Sequence, residues 1–378
     1  MKFKLGVLLL LAASLQVSAQ LDNSKFEQRS TINPADSNSL FLGINTLGFF
    51  KNNEYFNDIA DGYTLFGYQL NPYLSYNPAP NFKLTAGVYL QKDFGSEGYE
   101  EIVPTFSLEY LHGNTKVIFG NLEGSVSHRL IEPLYDFEKV MTDRLENGIQ
   151  FIVDKDNLFL DGWVDWQHML YKGENDQEVI SGGLSLNYNV LKSDRVSLWV
   201  PVQFVVMHRG GQIDTSPAPL QTYTNTAAGF TLKYTNQEGS FIEGISTDNY
   251  YVVHKDFSTE RLQPYEDGSG WYFNAGIRTR ANVDFLASYW RGHEFISITG
   301  GQLYPSVSST IKSPNTIEEE RELLIFRFTH NLKVTDQIWL ITRFEPFYDL
   351  GNGNFEFSHG FYINYTTDFF LLKKRSHR

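Results

Sequence analysis

From about residue 39 onward the chain alternates apolar and polar positions with a period of two. In GWYFNAGIRTR, residues 270–280, Trp271, Phe273, Ala275 and Ile277 fall on one face and Tyr272, Asn274, Arg278 and Arg280 on the other. A strand places successive side chains on opposite sides, so this is a sheet pattern whichever face meets water. Segments of this kind, each about ten to fourteen residues long, recur about sixteen times. The clearest are 63–76, 82–91, 157–166, 179–190, 196–207, 227–235, 270–280, 322–332, 337–348 and 355–372; weaker ones are 40–50, 101–111, 115–123, 147–154, 241–253 and 283–290. Because 115–123 and 241–253 alternate poorly, fourteen strands is the alternative count.

The connectors between segments alternate between short and long. Short ones are NPAPN (77–81), HGNT (112–115), DKDN (154–157), LKSDR (191–195), NQEGS (236–240), RAN (280–282) and KVTD (333–336). Long ones are 51–61, 92–100, 124–146, 168–178, 208–226, 254–269 and 291–318, with a modest 349–354. An up-and-down meander with tight turns at one rim and extended loops at the other gives this pattern; a sandwich with Greek-key crossovers does not.

Aromatic placement decides what surrounds the sheet. With the N-terminus on the turn side, Tyr76, Phe82, Tyr110, Tyr188, Tyr234 and Phe369 fall near the turn rim, and Trp166, Trp271, Tyr289, Tyr348 and Phe357 near the loop rim. Two aromatic girdles around an apolar band suit a barrel in a bilayer, whereas a soluble core has no reason to sort its aromatics so. The tryptophan face of 270–280 is therefore expected to meet lipid. An arginine on that face near mid-membrane costs about 2–4 kcal/mol, and by parity Arg278, Arg327 and Arg343 point inward instead. The fold class is all-β: a transmembrane antiparallel up-and-down β-barrel.

Composition narrows the picture further. The first residues, MKFKLGVLLLLAASLQVSAQ, place Lys2 and Lys4 before an apolar run and Val17-Ser18-Ala19 after it, the pattern of a cleavable secretory leader over 1–19. A polar lead, 20–38, precedes the barrel, 39–372, and a basic tail, 373–378, follows it. Cysteine is absent from the sequence, so there is no disulfide framework, thiolate metal site or acylatable cysteine behind the leader. A formal charge of −13 argues against nucleic acid as a partner. No segment after the leader approaches the apolar length of a spanning helix.

These features together resemble a Gram-negative outer-membrane β-barrel of the porin type, over roughly residues 39–372. The resemblance implies an outer-membrane location among lipid and lipopolysaccharide, a lumen passing small polar solutes, and a third outer loop folded inward to narrow it. Here that loop is SVSHRLIEPLYDFEKVMTDRLE, 125–146, in which Leu134, Phe137, Met141 and Leu145 recur at helical spacing. Its acids Glu132, Asp136, Glu138 and Asp143 would then face a basic wall carrying Arg278, Arg327 and Arg343, with Lys233, Arg280 and Arg321 on the same side and Glu109, Asp161 and Asp165 on the other. Such a constriction sets up a transverse field, although Asp284 and Glu345 interrupt the basic side. The chain departs from the porin pattern at its end, where LLKKRSHR follows Phe369-Phe370 in place of a terminal aromatic.

The expected function is a channel. The alternative is a non-enzymatic partner barrel of an assembly, secretion or nutrient-import complex, with either a second copy or other outer-membrane proteins beside it. For an enzyme, the candidate pairs are Ser127-His128 and Ser358-His359. The second is excluded as a direct pair, since neighbours on a strand point apart, and the first lacks an identified acid. DKDNLFLDG at 154–162 lacks the closing glutamate of a calcium loop, and GHEF at 292–295 lacks a second histidine at zinc spacing. No cofactor or metal is expected.

Overall fold

The computed structural model describes residues 21–373. The leader at 1–19 lies outside the described residues, and of the basic tail Lys373 alone lies within them. The strands are β1 (Ser39–Glu54), β2 (Thr64–Ala79), β3 (Phe82–Asp93), β4 (Glu101–His112), β5 (Thr115–Asn121), β6 (Asn147–Lys155), β7 (Leu158–His168), β8 (Val179–Lys192), β9 (Val196–Arg209), β10 (Gln221–Thr235), β11 (Ile242–Asp256), β12 (Asp267–Thr279), β13 (Val283–His293), β14 (Glu320–Lys333), β15 (Ile338–Asp349) and β16 (Asn354–Lys373). Each pairs antiparallel with its neighbours in sequence, and β1 closes on β16. The result is a closed sixteen-strand barrel with no free sheet edge.

The two segments that alternated poorly are both paired strands, β5 with β4 and β6, and β11 with β10 and β12. Their pattern is weak for a physical reason. Ile118 on β5 and Tyr250 and Val252 on β11 face the lumen, where they are 1%, 3% and 0% exposed. Apolar residues on the lumen face blur an alternation that assumes an aqueous interior.

Trp271 and Phe273 are 48% and 42% exposed on the outer face, while Tyr272 and Asn274 are each 3% exposed on the inner one. Tyr188, Tyr234 and Phe369 stand out at the turn rim, and Trp166, Trp271 and Tyr348 at the loop rim. The tight connections fall at one end and the long ones, above all 122–146 and 294–319, at the other. Strands thus hold the wall, and the loops and the lead are left to fill or clear the lumen.

Candidate functional site

The loop-side half of the lumen is filled. Tyr55 and Ala60 from the first loop, Leu130, Ile131 and Leu134 from the third and Phe295 and Tyr304 from the seventh pack on wall residues that include Trp163, Tyr250, Tyr272, Trp290, Leu323, Ile325 and Phe347. Fully burying one large apolar side chain is worth about 1.5–3 kcal/mol, so the third- and seventh-loop residues together contribute on the order of 10 kcal/mol. Trp290 shows how tightly this septum is fitted: the indole donates from Nε1 to the Tyr304 carbonyl at 3.1 Å. A Cβ on Gly270 would fall 2.3 Å from its ring, and one on Gly292 2.9 Å. Those two lumen-facing glycines make room for the tryptophan.

Ion pairs bolt the septum to the wall. Arg327 of β14 bonds Glu132 of the third loop and donates from Nε to Glu345 at 3.2 Å. Glu132 also accepts from the Tyr304 hydroxyl at 2.6 Å. Lys51 of β1 pairs with Glu138, which accepts further from Asn53 at 2.8 Å and from the Tyr63 hydroxyl. Arg321 reaches Glu318 at 2.5 Å and Asp349 at 3.0 Å. The His128 ring lies 3.6 Å from that of Trp163 in a stack, with Nδ1 2.9 Å from Asp161 and Nε2 2.6 Å from Glu146.

The residues singled out from sequence are thus brought together only in part. Glu132 meets Arg327, but Glu138 meets Lys51, which parity arguments had not singled out. Asp136 is held by burial and by Glu138 with its carboxyl pushed up to about 7, and it accepts from the Glu138 amide at 2.9 Å. Asp143 is exposed and paired with Lys139 at 3.1 Å. Asp161 belongs to the His128 cluster, and Asp165 accepts from the Asn147 amide at 2.7 Å. Arg343 stacks on Phe137 at 4.3 Å and on Phe26 at 4.8 Å, and Arg278 lies 3.9 Å from Asp22. Arg280 is exposed in the turn after β12. Of the acids and bases expected to face each other, Glu132 and Arg327 are in direct contact; the others meet different partners.

Other expectations are modified too. The helical spacing in the third loop yields one helical turn, α1 (Lys139–Thr142), and a 3-10 turn at Ser125–His128; Leu134 and Met141 are buried through loop packing instead. The acid that Ser127-His128 lacked is supplied twice, by Asp161 and Glu146, yet the imidazole is fully buried. Ser358 faces the lumen, 1% exposed, and His359 sits outside against Phe50 with ring centres 5.5 Å apart. His293, Glu294 and Glu319 have ligand atoms within 4.8 Å of one another at the loop rim, a grouping that closes where the seventh loop leaves β13 and re-enters β14 and that linear spacing does not show. His293 Nδ1 is engaged by Glu320 at 2.9 Å.

Below the septum lies the lead, residues 21–38. Phe26, 1% exposed, plugs an aromatic socket edge-on to Phe137 at 5.2 Å and Tyr362 at 5.0 Å. Lead residues Ser24, Lys25 and Glu27 line two turn-side cavities at once, one of about 470 Å³ reaching Lys233, Arg278 and Asp284 and one of about 550 Å³ reaching Lys83, Glu109 and Asn364. The lead therefore divides the vestibule. Its composition, mixed and polar around one phenylalanine, gave no sign of this.

The His128 cluster has a defined pH response. Burial opposes the imidazolium, but Glu146 and Asp161 outweigh it and hold His128 up at about 10; burial likewise opposes the Glu146 anion, which His128 draws down to about 2. A raised histidine stabilises the fold below its ordinary value near 6.5, and that contribution fades as pH rises toward 10; a lowered carboxylate stabilises above about 4.5 and fades as pH falls toward 2. The clasp is strongest between about 4.5 and 6.5. Protection factors in 125–135, with the intrinsic base-catalysed rate divided out, are expected to fall between pH 7 and 10 in the native protein, and His128→Gln should flatten that slope. A slope unchanged by the substitution would assign it to other groups.

A family model described as lipid A 3'-O-deacylase-type matches residues 32–374. No curated protein matches the chain in sequence. Among solved structures, the outer membrane protein OprD from Pseudomonas aeruginosa is similar with a TM-score of 0.52 at 10% identity, covering 90% of this chain and 98% of that one. A loop L8 deletion mutant of OmpT from Vibrio cholerae gives 0.52 at 10%, with 87% and 100% covered, and OpdL from Pseudomonas aeruginosa 0.51 at 10%, with 87% and 99%. At such identity the likeness is one of fold, the porin-type barrel.

Proposed function

The chain belongs to the lipid A 3'-O-deacylase-type family, a premise that makes the outer membrane its natural setting, and we propose that it works there as a channel for small polar solutes that is shut at rest. The observation that supports this is the lining of the lumen: a polar, charge-lined vestibule on the turn side, bordered by third-loop residues such as Arg129 and Glu132 in a loop held to the wall by side-chain pairs. A sixteen-strand wall leaves an aqueous bore unless something fills it, and here what fills it is separable from the wall. The third loop acts as a gate more than as a fixed constriction. The porin-type neighbours, an outer membrane protein OprD among them, support a channel by likeness of fold.

For ester hydrolysis the lumen is poorly equipped. His128 has two acids, but an imidazolium held charged near pH 7 cannot take a proton. A second reading, lipid A acyl-ester hydrolysis, is favoured by the family match and by one outward-facing row near the loop rim. Thr64, Asn52 and His359 are register partners across β2, β1 and β16. Thr64 donates to Asn52 at 2.7 Å, and Asn52 to Glu54 at 2.5 Å. These are hydroxyl, imidazole and carboxylate on a lipid-facing surface.

Two measurements separate the readings. Planar bilayers holding the native barrel are expected to show a closed baseline broken by openings under applied voltage, while mass spectra of lipid A from cells with and without the protein stay the same. Loss of an acyl chain that depends on His359, from a barrel silent at every voltage, would reverse the order.

A further inference from the structure

The lead sits in the lumen as a bound peptide sits in a receptor. Apart from one 3-10 turn at Pro34–Asp36, it has little regular structure of its own, and several of its oxygens accept from side chains of the wall and the third loop. Arg343 donates to Asn23 Oδ1 at 2.7 Å, Arg144 to the Phe26 carbonyl at 3.0 Å, Arg129 to Glu27 at 3.0 Å, and Lys116 to the Ser30 carbonyl at 2.9 Å. Asn364 donates to the Lys25 carbonyl. The donors come from β5, β15, β16 and the third loop, so the track runs across the lumen from one wall to the other.

Its anchor is an aromatic pocket. Phe26 fills the gap between Phe137 and Tyr362 while the Arg343 guanidinium lies over its ring. Arg343 is 1% exposed, and its Nε and Nη1 have no hydrogen-bond partner among the described residues. A buried guanidinium with two idle donors is costly. That cost is tolerable where the cation serves a ring, and the idle donors remain available to a chain that brings carboxylate or carbonyl oxygens. The cavities on either side of the lead leave about 470 and 550 Å³, room for side chains larger than Ser24 or Gln28.

We infer that this track is a peptide-binding site whose resident occupant is the chain's own lead, and that the solute class it admits is a short extended peptide with an aromatic side chain followed by a carboxylate. The inference rests on the reading of the lumen as a passage, since a competing peptide would have to enter the vestibule and displace the lead to bind. Side chains that grip backbone carbonyls read length and direction, and the Phe26 pocket with Arg129 reads the aromatic–acid pair. The lead then doubles as an internal competitor that keeps the track shut to weak ligands.

The test uses the full chain lacking residues 22–36, with its fold checked by a heat-dependent shift in gel mobility, and a fluorescent synthetic peptide of sequence DNSKFEQRSTINPAD. Anisotropy should show saturable binding to the deletion variant at least ten-fold tighter than to the native protein, and at least ten-fold weaker for a peptide with aspartate in place of its phenylalanine. Phe26→Asp in the undeleted chain should also raise affinity for the native peptide, which keeps the test open should the deletion fail to fold. No saturable binding to either folded variant, or equal binding of a scrambled peptide, would overturn the inference and leave the lead a fixed strut. Binding without any conductance would instead retain the peptide site and sink the channel.

Discussion

Deleting residues 128–143 is expected to raise the current through single barrels in planar bilayers by about ten-fold or more, as a sixteen-strand lumen passes from filled to aqueous. The deletion removes Leu130, Ile131 and Leu134 from the outer core, Phe137 from the Phe26 socket, and Glu132 and Glu138 from their pairs with Arg327 and Lys51. The wall should survive, because β5 and β6 pair directly through Thr115–Asn121 and Asn147–Val153 and the shortened connection still spans their ends. Lys51 loses Glu138 while Asp161 and Glu146 lose His128, and Arg327 keeps Glu345, so charges of both signs line the opened bore and its selectivity should be weak. A current unchanged from the native protein would mean that the seventh loop and the lead suffice to close the lumen. In that case the third loop is no gate.

Arg327→Met should cost about 3–5 kcal/mol of stability, the usual consequence of removing one partner from a buried charge cluster. The guanidinium is 4% exposed and serves Glu132, Glu345, the Ser288 hydroxyl at 3.0 Å and the Tyr304 hydroxyl at 3.0 Å. Without it, two carboxylates lie together in a space from which water is largely excluded. Adding Glu132→Gln should recover part of the loss, since one of the two stranded charges is then gone. Urea unfolding in detergent, followed by tryptophan fluorescence, gives the two-by-two cycle. Strict additivity of the two substitutions would show that the pair does not couple loop to wall.

The wall was legible in the sequence because strand periodicity, turn length and aromatic position all respond to one external fact, a slab of lipid. Trp271 out and Tyr272 in follow from parity alone. The interior was much less so. Parity puts Arg327 and Arg343 inward without saying what they meet, and Arg343 meets Phe26, more than 300 residues away in sequence. Lys51 reads as the first residue of the connector 51–61, so no parity argument turned it inward, yet it extends β1 and holds Glu138. His128 looked like an ordinary loop residue until Asp161, from the next strand pair, and Glu146, from the end of the same loop, closed on its two nitrogens. The lead carried the least signal, since a segment whose regular structure is a single 3-10 turn has no periodicity to show.

The lumen core has a consequence for the journey that precedes folding. On β14 the run Leu323-Leu324-Ile325-Phe326 is apolar on both faces, because lipid covers one side and the septum the other: Leu323 and Ile325 are buried inside, and Phe326 belongs to the outer face, its ring 6.2 Å from that of Phe285. An exported chain has neither cover while it crosses an aqueous compartment, and a short β-prone run without charge is the kind that seeds aggregation. Arg321 and Glu322 stand directly before it and Arg327 directly after, where charges hinder strands of separate molecules from stacking. The same two arginines that bolt the septum to the wall are thus placed to hinder this run from meeting its copies before the barrel closes.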